Sequence, residues 1–168
     1  RTNTGDANIF GLESLVDINL KKIFGLDSAY IFNTFLNLSI IDSKYVKSDE
    51  PGVEGKEVEF VPKYNIKYGI KFGYKNFTSY LQYSYLASQF SDSSNSVESN
   101  LSGVIGQIPA YDILDLSMNY KLGKIKLETG VNNILDTSYF TRRATGYPGP
   151  GIIPSPPRNY YITTQYKF

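Results

Sequence analysis

Between Tyr64 and Tyr74 the chain reads Tyr-Asn-Ile-Lys-Tyr-Gly-Ile-Lys-Phe-Gly-Tyr. Tyr64, Ile66, Tyr68, Ile70, Phe72 and Tyr74 alternate with Asn65, Lys67, Gly69, Lys71 and Gly73, and Lys63 and Lys75 extend the polar set at both ends. A period of two held this long makes a strand with one apolar and one polar face. At roughly 3.4 Å per residue it reaches about 34 Å. Strands of globular proteins stop at about five or six residues, whereas about ten, tilted near 45°, cross a membrane in a β-barrel.

The same alternation predicts seven strands. They are Ala7 to Leu20, Ala29 to Ile41, Tyr64 to Tyr74, Phe77 to Phe90, Ala110 to Lys121, Ile125 to Leu135 and Arg158 to Phe168. In the first, Phe10, Leu12, Val16 and Ile18 share one face, with Gly11, Glu13 and Asp17 opposite. In the fifth, Leu114, Leu116, Met118 and Tyr120 are set against Asp112, Asp115, Ser117 and Asn119. Connections alternate in length: Gly25 to Ser28, Lys75-Asn76 and Leu122 to Lys124 are short, while Asp42 to Glu57, Ser91 to Ile108 and Thr141 to Pro157 are long. Outer-membrane barrels show this rhythm, with short periplasmic turns and long outer loops. Tyr30, Tyr74, Phe77, Tyr120, Tyr166 and Phe168 fall beside the short turns or the terminus, where an aromatic girdle belongs. An all-β, antiparallel transmembrane barrel is therefore expected. Single-chain bacterial barrels have even strand counts from eight upward, so seven strands imply part of a larger wall.

Composition removes other classes. A net charge of +1 argues against a nucleic-acid partner. The mean hydropathy of −0.27 does not argue against a membrane, because alternation hides barrel strands. With no Cys and no His, thiolate or imidazole metal sites and Ser-His or Cys-His nucleophiles cannot be built. Glu57 and Glu59, expected to point the same way at the rim, are the one carboxylate pair suggestive of acid–base work, without a cleft to serve. No Gly-x-Gly-x-x-Gly or Walker pattern follows a strand. No enzyme and no cofactor is expected. The chain opens on Arg1-Thr2-Asn3 without initiator Met or signal peptide, read as a segment of a longer protein.

Three blocks carry a family resemblance: Ala110-Tyr111-Asp112-Ile113-Leu114-Asp115-Leu116-Ser117, Gly130-Val131-Asn132-Asn133-Ile134-Leu135-Asp136, and Arg158-Asn159-Tyr160-Tyr161 running to Phe168. With Asn8 to Glu13, they resemble strands of TonB-dependent outer-membrane receptors. The loop Thr141-Arg142-Arg143-Ala144-Thr145-Gly146-Tyr147-Pro148-Gly149-Pro150-Gly151 is similar to that of ferric dicitrate-type receptors. The resemblance implies a 22-stranded barrel in the bacterial outer membrane, plugged by an N-terminal domain. It implies active uptake of an iron chelate such as ferric citrate, driven through the TonB complex. Residues 1–168 would then be the C-terminal part of the barrel, its last seven strands, without the plug. The implied partners are outer-membrane lipid, the iron chelate, the protein's own plug, the TonB complex and the barrel-assembly machinery.

Within this frame Arg142 and Arg143 suit bidentate capture of carboxylates, and Tyr147 could line the same mouth; the alternative is an ordinary solvated loop, with the Pro148 to Gly151 run shaping its backbone. Phe168 resembles the terminal aromatic read by the assembly machinery, or it packs in the lower girdle. Asn132 and Asp136, placed on the inward face with Lys126 and Glu128, bind ligand or bond neighbouring strands, and Gly130 permits close approach. Lys63, Lys67, Lys71 and Lys75 form a ladder that guides anions, meets the plug or is a solvated wall. Two rival readings are a passive pore or adhesin barrel and a soluble carbohydrate-binding β-sandwich.

Overall fold

The computed structural model describes residues 4–147 and 149–168. Eleven strands and one helical turn follow in the order β1 (Asp6–Ile18), α1 (Leu20–Ile23), β2 (Tyr30–Lys47), β3 (Tyr64–Tyr74), β4 (Phe77–Leu86), β5 (Gln89–Phe90), β6 (Gln107–Ile108), β7 (Tyr111–Leu122), β8 (Ile125–Asn132), β9 (Phe140–Ala144), β10 (Gly151–Pro154) and β11 (Asn159–Tyr166). Seven of them form one antiparallel sheet in the order β1-β2-β3-β4-β7-β8-β11. Every neighbour in that wall is also the next wall strand along the chain, so it is an up-and-down meander. The long loops therefore gather at one end and the short turns at the other.

Register places the apolar sets on one face. Tyr30 lies opposite Tyr74, Phe32 opposite Phe72, Leu36 opposite Tyr68 and Leu38 opposite Ile66. Across the next seams Ile70 meets Leu81, Leu81 meets Leu116, and Leu116 meets Val131. This face has no covering layer: Leu12 is 63% exposed and Ile162 72% exposed. An apolar surface of this extent in water would invite aggregation, and hydrocarbon is the medium that suits it. At the short-turn end Tyr30, Tyr74, Phe77 and Tyr120 line up across four strands. The Tyr30 and Tyr74 ring centroids are 4.7 Å apart, and Phe32 meets Phe72 edge-on at 6.1 Å. This is the expected girdle, and each such cross-strand pair adds about 0.2–1 kcal/mol.

The opposite face is polar but not empty. Phe35 stacks on Tyr80 at 6.0 Å with planes 6° apart. Gly69 lies between them on β3, and a Cβ there would come within 2.2 Å of the Phe35 ring. Gly130 is covered in the same way by the Tyr161 ring. A ring laid over a strand glycine restores the apolar contact that the missing side chain cannot make.

Several boundaries differ from the sequence reading. β2 runs to Lys47 instead of stopping at Ile41, because β1 keeps pairing beyond the apolar band: Phe10 with Asp42, Ile9 with Ser43 and Asn8 with Lys44. Leu20 leaves the first strand for α1, whose first turn is capped by Asn19 accepting from the Lys22 backbone N–H at 3.1 Å. The fourth strand ends at Leu86; the last residues expected in it form the separate strand β5, which pairs with β6 at the far end of the stretch expected to be loop. The sixth ends at Asn132 because Asn133 takes a positive φ of 53°. The last long loop holds the β9–β10 hairpin. Asp112 belongs by register with Tyr85 on the apolar face, at its loop-side limit, and not with Asp115.

Candidate functional site

The buried apolar side chains among the described residues are Tyr45, Val53, Ala87 and Ile108, and all lie at the long-loop end. Three segments meet there: residues 48–63 after β2, residues 87–110 between β4 and β7, and residues 133–158 between β8 and β11. They form a cap whose polar bonds run largely from side chain to backbone.

The third loop is fixed at its root. The Asn133 backbone N–H donates to Asp115 Oδ1 at 2.8 Å, its Nδ2 donates to the Thr137 carbonyl, and its Oδ1 accepts from the Thr137 N–H. Asn133 is 2% exposed. Asp136, also at positive φ (56°), accepts from the Arg158 N–H, while Arg158 Nε donates to the Ile134 carbonyl. Asn132 Nδ2 donates to Asn159 Oδ1 on the adjacent strand. The Gly130 to Asp136 box thus closes the strand and launches the loop. Asp136 lies beyond β8 and does not share the inward strand face with Lys126 and Glu128, which bond each other at 3.0 Å.

The first loop docks on the second through Asn95. Its Oδ1 accepts from the Glu57 N–H at 2.7 Å and its Nδ2 donates to the Glu57 carbonyl at 2.8 Å, while the Phe60 N–H donates to the Phe90 carbonyl. Glu57 and Glu59 do not act as a pair. Glu57 is engaged through its backbone, whereas the Glu59 carboxylate accepts from the Tyr45 hydroxyl at 2.6 Å. Burial, reinforced by that bond and by the carboxylate charge, pushes the Tyr45 hydroxyl up to about 12. Tyr45 lies on β2 beyond the band where β2 pairs with β3, which ends at Ile40.

The third loop is tied to the second by Arg143. Only 8% exposed, it donates from Nη1 to the Gly103 carbonyl and from Nη2 to the Gln107 carbonyl, both at 2.8 Å. Its guanidinium lies 5.2 Å from the Phe140 ring centroid. Arg142, its neighbour on β9, is exposed, and Tyr147 at the hairpin tip is 99% exposed. The structure therefore separates the three candidates: Arg143 is inside the cap, and Arg142 and Tyr147 are on its surface. Pro148 lies outside the described residues, as do Arg1, Thr2 and Asn3. Phe168 follows β11 fully exposed and meets Tyr166 edge-on at 5.1 Å. Sequence reading missed Asn95, Asn133 and Arg143 as cap-forming residues; the weak signal was Asn and Arg inside otherwise turn-like stretches.

Of the lysine ladder, Lys67 and Lys71 are exposed on the polar wall, while Lys63 and Lys75, also exposed, lie just outside β3 and leave its alternation. Toward the short turns Lys71 and Lys75 border a hollow shared with Asn119, Lys121 and Lys126. Among the described residues no three His, Cys, Asp or Glu side chains converge as metal ligands.

This wall-and-cap arrangement recurs in solved structures. The unliganded ferric citrate transporter FecA superposes with a TM-score of 0.84 at 26% identity, over 96% of this chain and 24% of that one. The ferric yersiniabactin uptake receptor FyuA from Yersinia pestis gives 0.75 at 19% identity, over 99% and 24%. The copper transporter OprC gives 0.70 at 19% identity, over 99% and 24%. The chain spans about a quarter of the length of these three proteins. The family model described as TonB dependent receptor-like, beta-barrel, matches residues 1–134. From the meander, its bare apolar face and this match over most of its length, the chain belongs to the TonB-dependent receptor β-barrel family of the bacterial outer membrane.

Proposed function

We propose that the chain forms wall and outer mouth of an active transporter for an iron chelate, with ferric citrate as the cargo. The observation that carries this reading is the likeness to the ferric citrate transporter, which takes in the loop cap as well as the strands. At the mouth, Arg142 and Tyr147 supply an exposed guanidinium and an exposed phenol for a polycarboxylate chelate. Arg143 supports them indirectly by holding β9 against the second loop. No covalent chemistry is required of these residues. Binding at the mouth is followed by passage through the lumen, with energy delivered through the TonB complex to a plug inside the barrel.

Among the described residues β1 and β11 each pair on one side only, so strands beyond these seven complete the barrel.

Deletion of the complete gene is expected to abolish growth on ferric citrate as sole iron source, and unchanged citrate-dependent iron uptake would refute the cargo. Arg142→Ala combined with Tyr147→Ala is expected to weaken chelate binding by the complete receptor about tenfold or more, on the scale of one charge-assisted bond. Full-affinity binding by that variant would remove these two residues from the site.

A further inference from the structure

The net charge of +1 conceals a separation along the wall. The short-turn end carries Lys21, Lys22, Lys75, Lys121, Lys124 and Lys167. The acidic residues there are Asp17, Asp27 and Glu128; Asp27 accepts from the Ala29 N–H and Glu128 pairs with Lys126. Lys121 lies directly opposite Lys126 across the β7–β8 seam on the polar face, where Glu128 already supplies the counter-charge to Lys126.

Some of these cations sit on the lipid side. Phe24, which follows α1, stacks on Phe32 of the apolar face at 6.0 Å, so the turn wraps onto the outside of the wall. Ile23 and Phe24 remain 65% and 63% exposed, with Lys21 and Lys22 beside them. Lys75 stands in a turn at φ 51°, at the edge between the polar-side hollow it borders and the lipid face, and its ammonium is 5.1 Å from the ring centroid of lipid-facing Tyr74. Exposed apolar and aromatic groups flanked by lysines that reach past them are what an element seated at a membrane surface presents.

We propose that this short-turn rim docks anionic phospholipid headgroups, with Lys21, Lys22 and Lys75 making the phosphate contacts and Ile23 and Phe24 inserted beside the acyl chains. The inference rests on the membrane-wall assignment and is independent of the cargo. Lysine engages a headgroup phosphate as a point charge, and lysines beside a membrane-seated apolar element are drawn to anionic lipid. The girdle sets the depth at which those lysines meet the headgroups.

The test uses the complete receptor, purified in mild detergent and offered phosphatidylglycerol or phosphatidylcholine, with retained lipid counted by native mass spectrometry. Lys21→Gln, Lys22→Gln and Lys75→Gln together are expected to cut phosphatidylglycerol retention about tenfold, a conservative figure for three lysines near a charged surface. Phosphatidylcholine retention should not change. Lys44→Gln, Lys47→Gln and Lys56→Gln at the opposite end serve as the control and should leave both lipids unaffected. Equal retention of the two lipids by the native receptor, or an unchanged preference in the short-turn variant, would overturn the proposal. Should that variant fail to fold, raising the salt on the native receptor decides the matter: preference for phosphatidylglycerol must fall with ionic strength, and a salt-independent preference would refute it. Chelate uptake is read separately, so either assignment can fail without the other.

Discussion

The wall and the cap are stabilised by different means. The wall has regular hydrogen-bonded ladders, matched cross-strand apolar pairs and no interior of its own; its apolar face is left to lipid. The cap has little ladder but contains the buried apolar side chains, Tyr45, Val53, Ala87 and Ile108. Asn95, Asn133 and Arg143 hold it through single side chains that each satisfy two or more backbone groups. Damage should therefore spread along the wall and stay local in the cap.

The largest expected effect is on the wall. Ile70→Arg places a guanidinium in the middle of the lipid-facing set and should cost about 2–4 kcal/mol, read from urea titration of the complete receptor in vesicles. Lys67→Ala, on the opposite face of the same strand, should change little, within about 0.5 kcal/mol. Equal effects at the two positions would erase the distinction between the faces.

Arg143→Ala should cost the cap about 3 kcal/mol, since two charge-assisted bonds are lost and the Gly103 and Gln107 carbonyls are stranded. The expected readout is new protease cleavage between Ser91 and Ile108 while the strands stay resistant; cleavage or unfolding throughout would show that cap and wall are one cooperative unit.

Gly130→Val should cost about 1–3 kcal/mol, because a Cβ there meets the Leu116 carbonyl oxygen at 2.5 Å as well as the Tyr161 ring. Gly146→Ala in the hairpin tip, with open space around it, should be neutral or slightly stabilising by thermal melt.

The smallest effect at neutral pH concerns Tyr45. Its neutral form is favoured in the fold, so its contribution is complete below about pH 10, the ordinary tyrosine value, and is lost as pH rises toward about 12. Hydrogen exchange in residues 48–63 should accelerate across that window, and Tyr45→Phe should remove the step.

Much of the wall was legible because one period of two carries both its secondary structure and its orientation. Tyr64 to Tyr74 is a strand at those very bounds, and the girdle residues fall where their spacing puts them. Phe35 and Gly69 were not legible as a pair: an aromatic on the polar face makes sense only once the register brings the two together. The continuation of β2 past Ile41 was hidden for a related reason, since Asp42, Ser43 and Lys44 break the apolar alternation there while pairing persists. The cap was the least legible. Arg142 and Arg143 are adjacent and chemically identical, and only the fold of the hairpin sends one inward and leaves the other at the surface. Lys21, Lys22 and Lys75 look unrelated in sequence until the meander brings their turns to the same end.

The chain contains no Cys, which suits site-directed labelling. Single cysteines placed from Asn65 to Gly73 in the complete receptor, spin-labelled and reconstituted in vesicles, can be probed by collision with oxygen dissolved in the lipid. Ile66, Ile70 and Phe72 should be accessible to oxygen, and Asn65, Lys67 and Lys71 protected, with a strict period of two. Uniform accessibility, or protection at the Ile66 and Ile70 positions with access at Lys67 and Lys71, would contradict the lipid-facing wall.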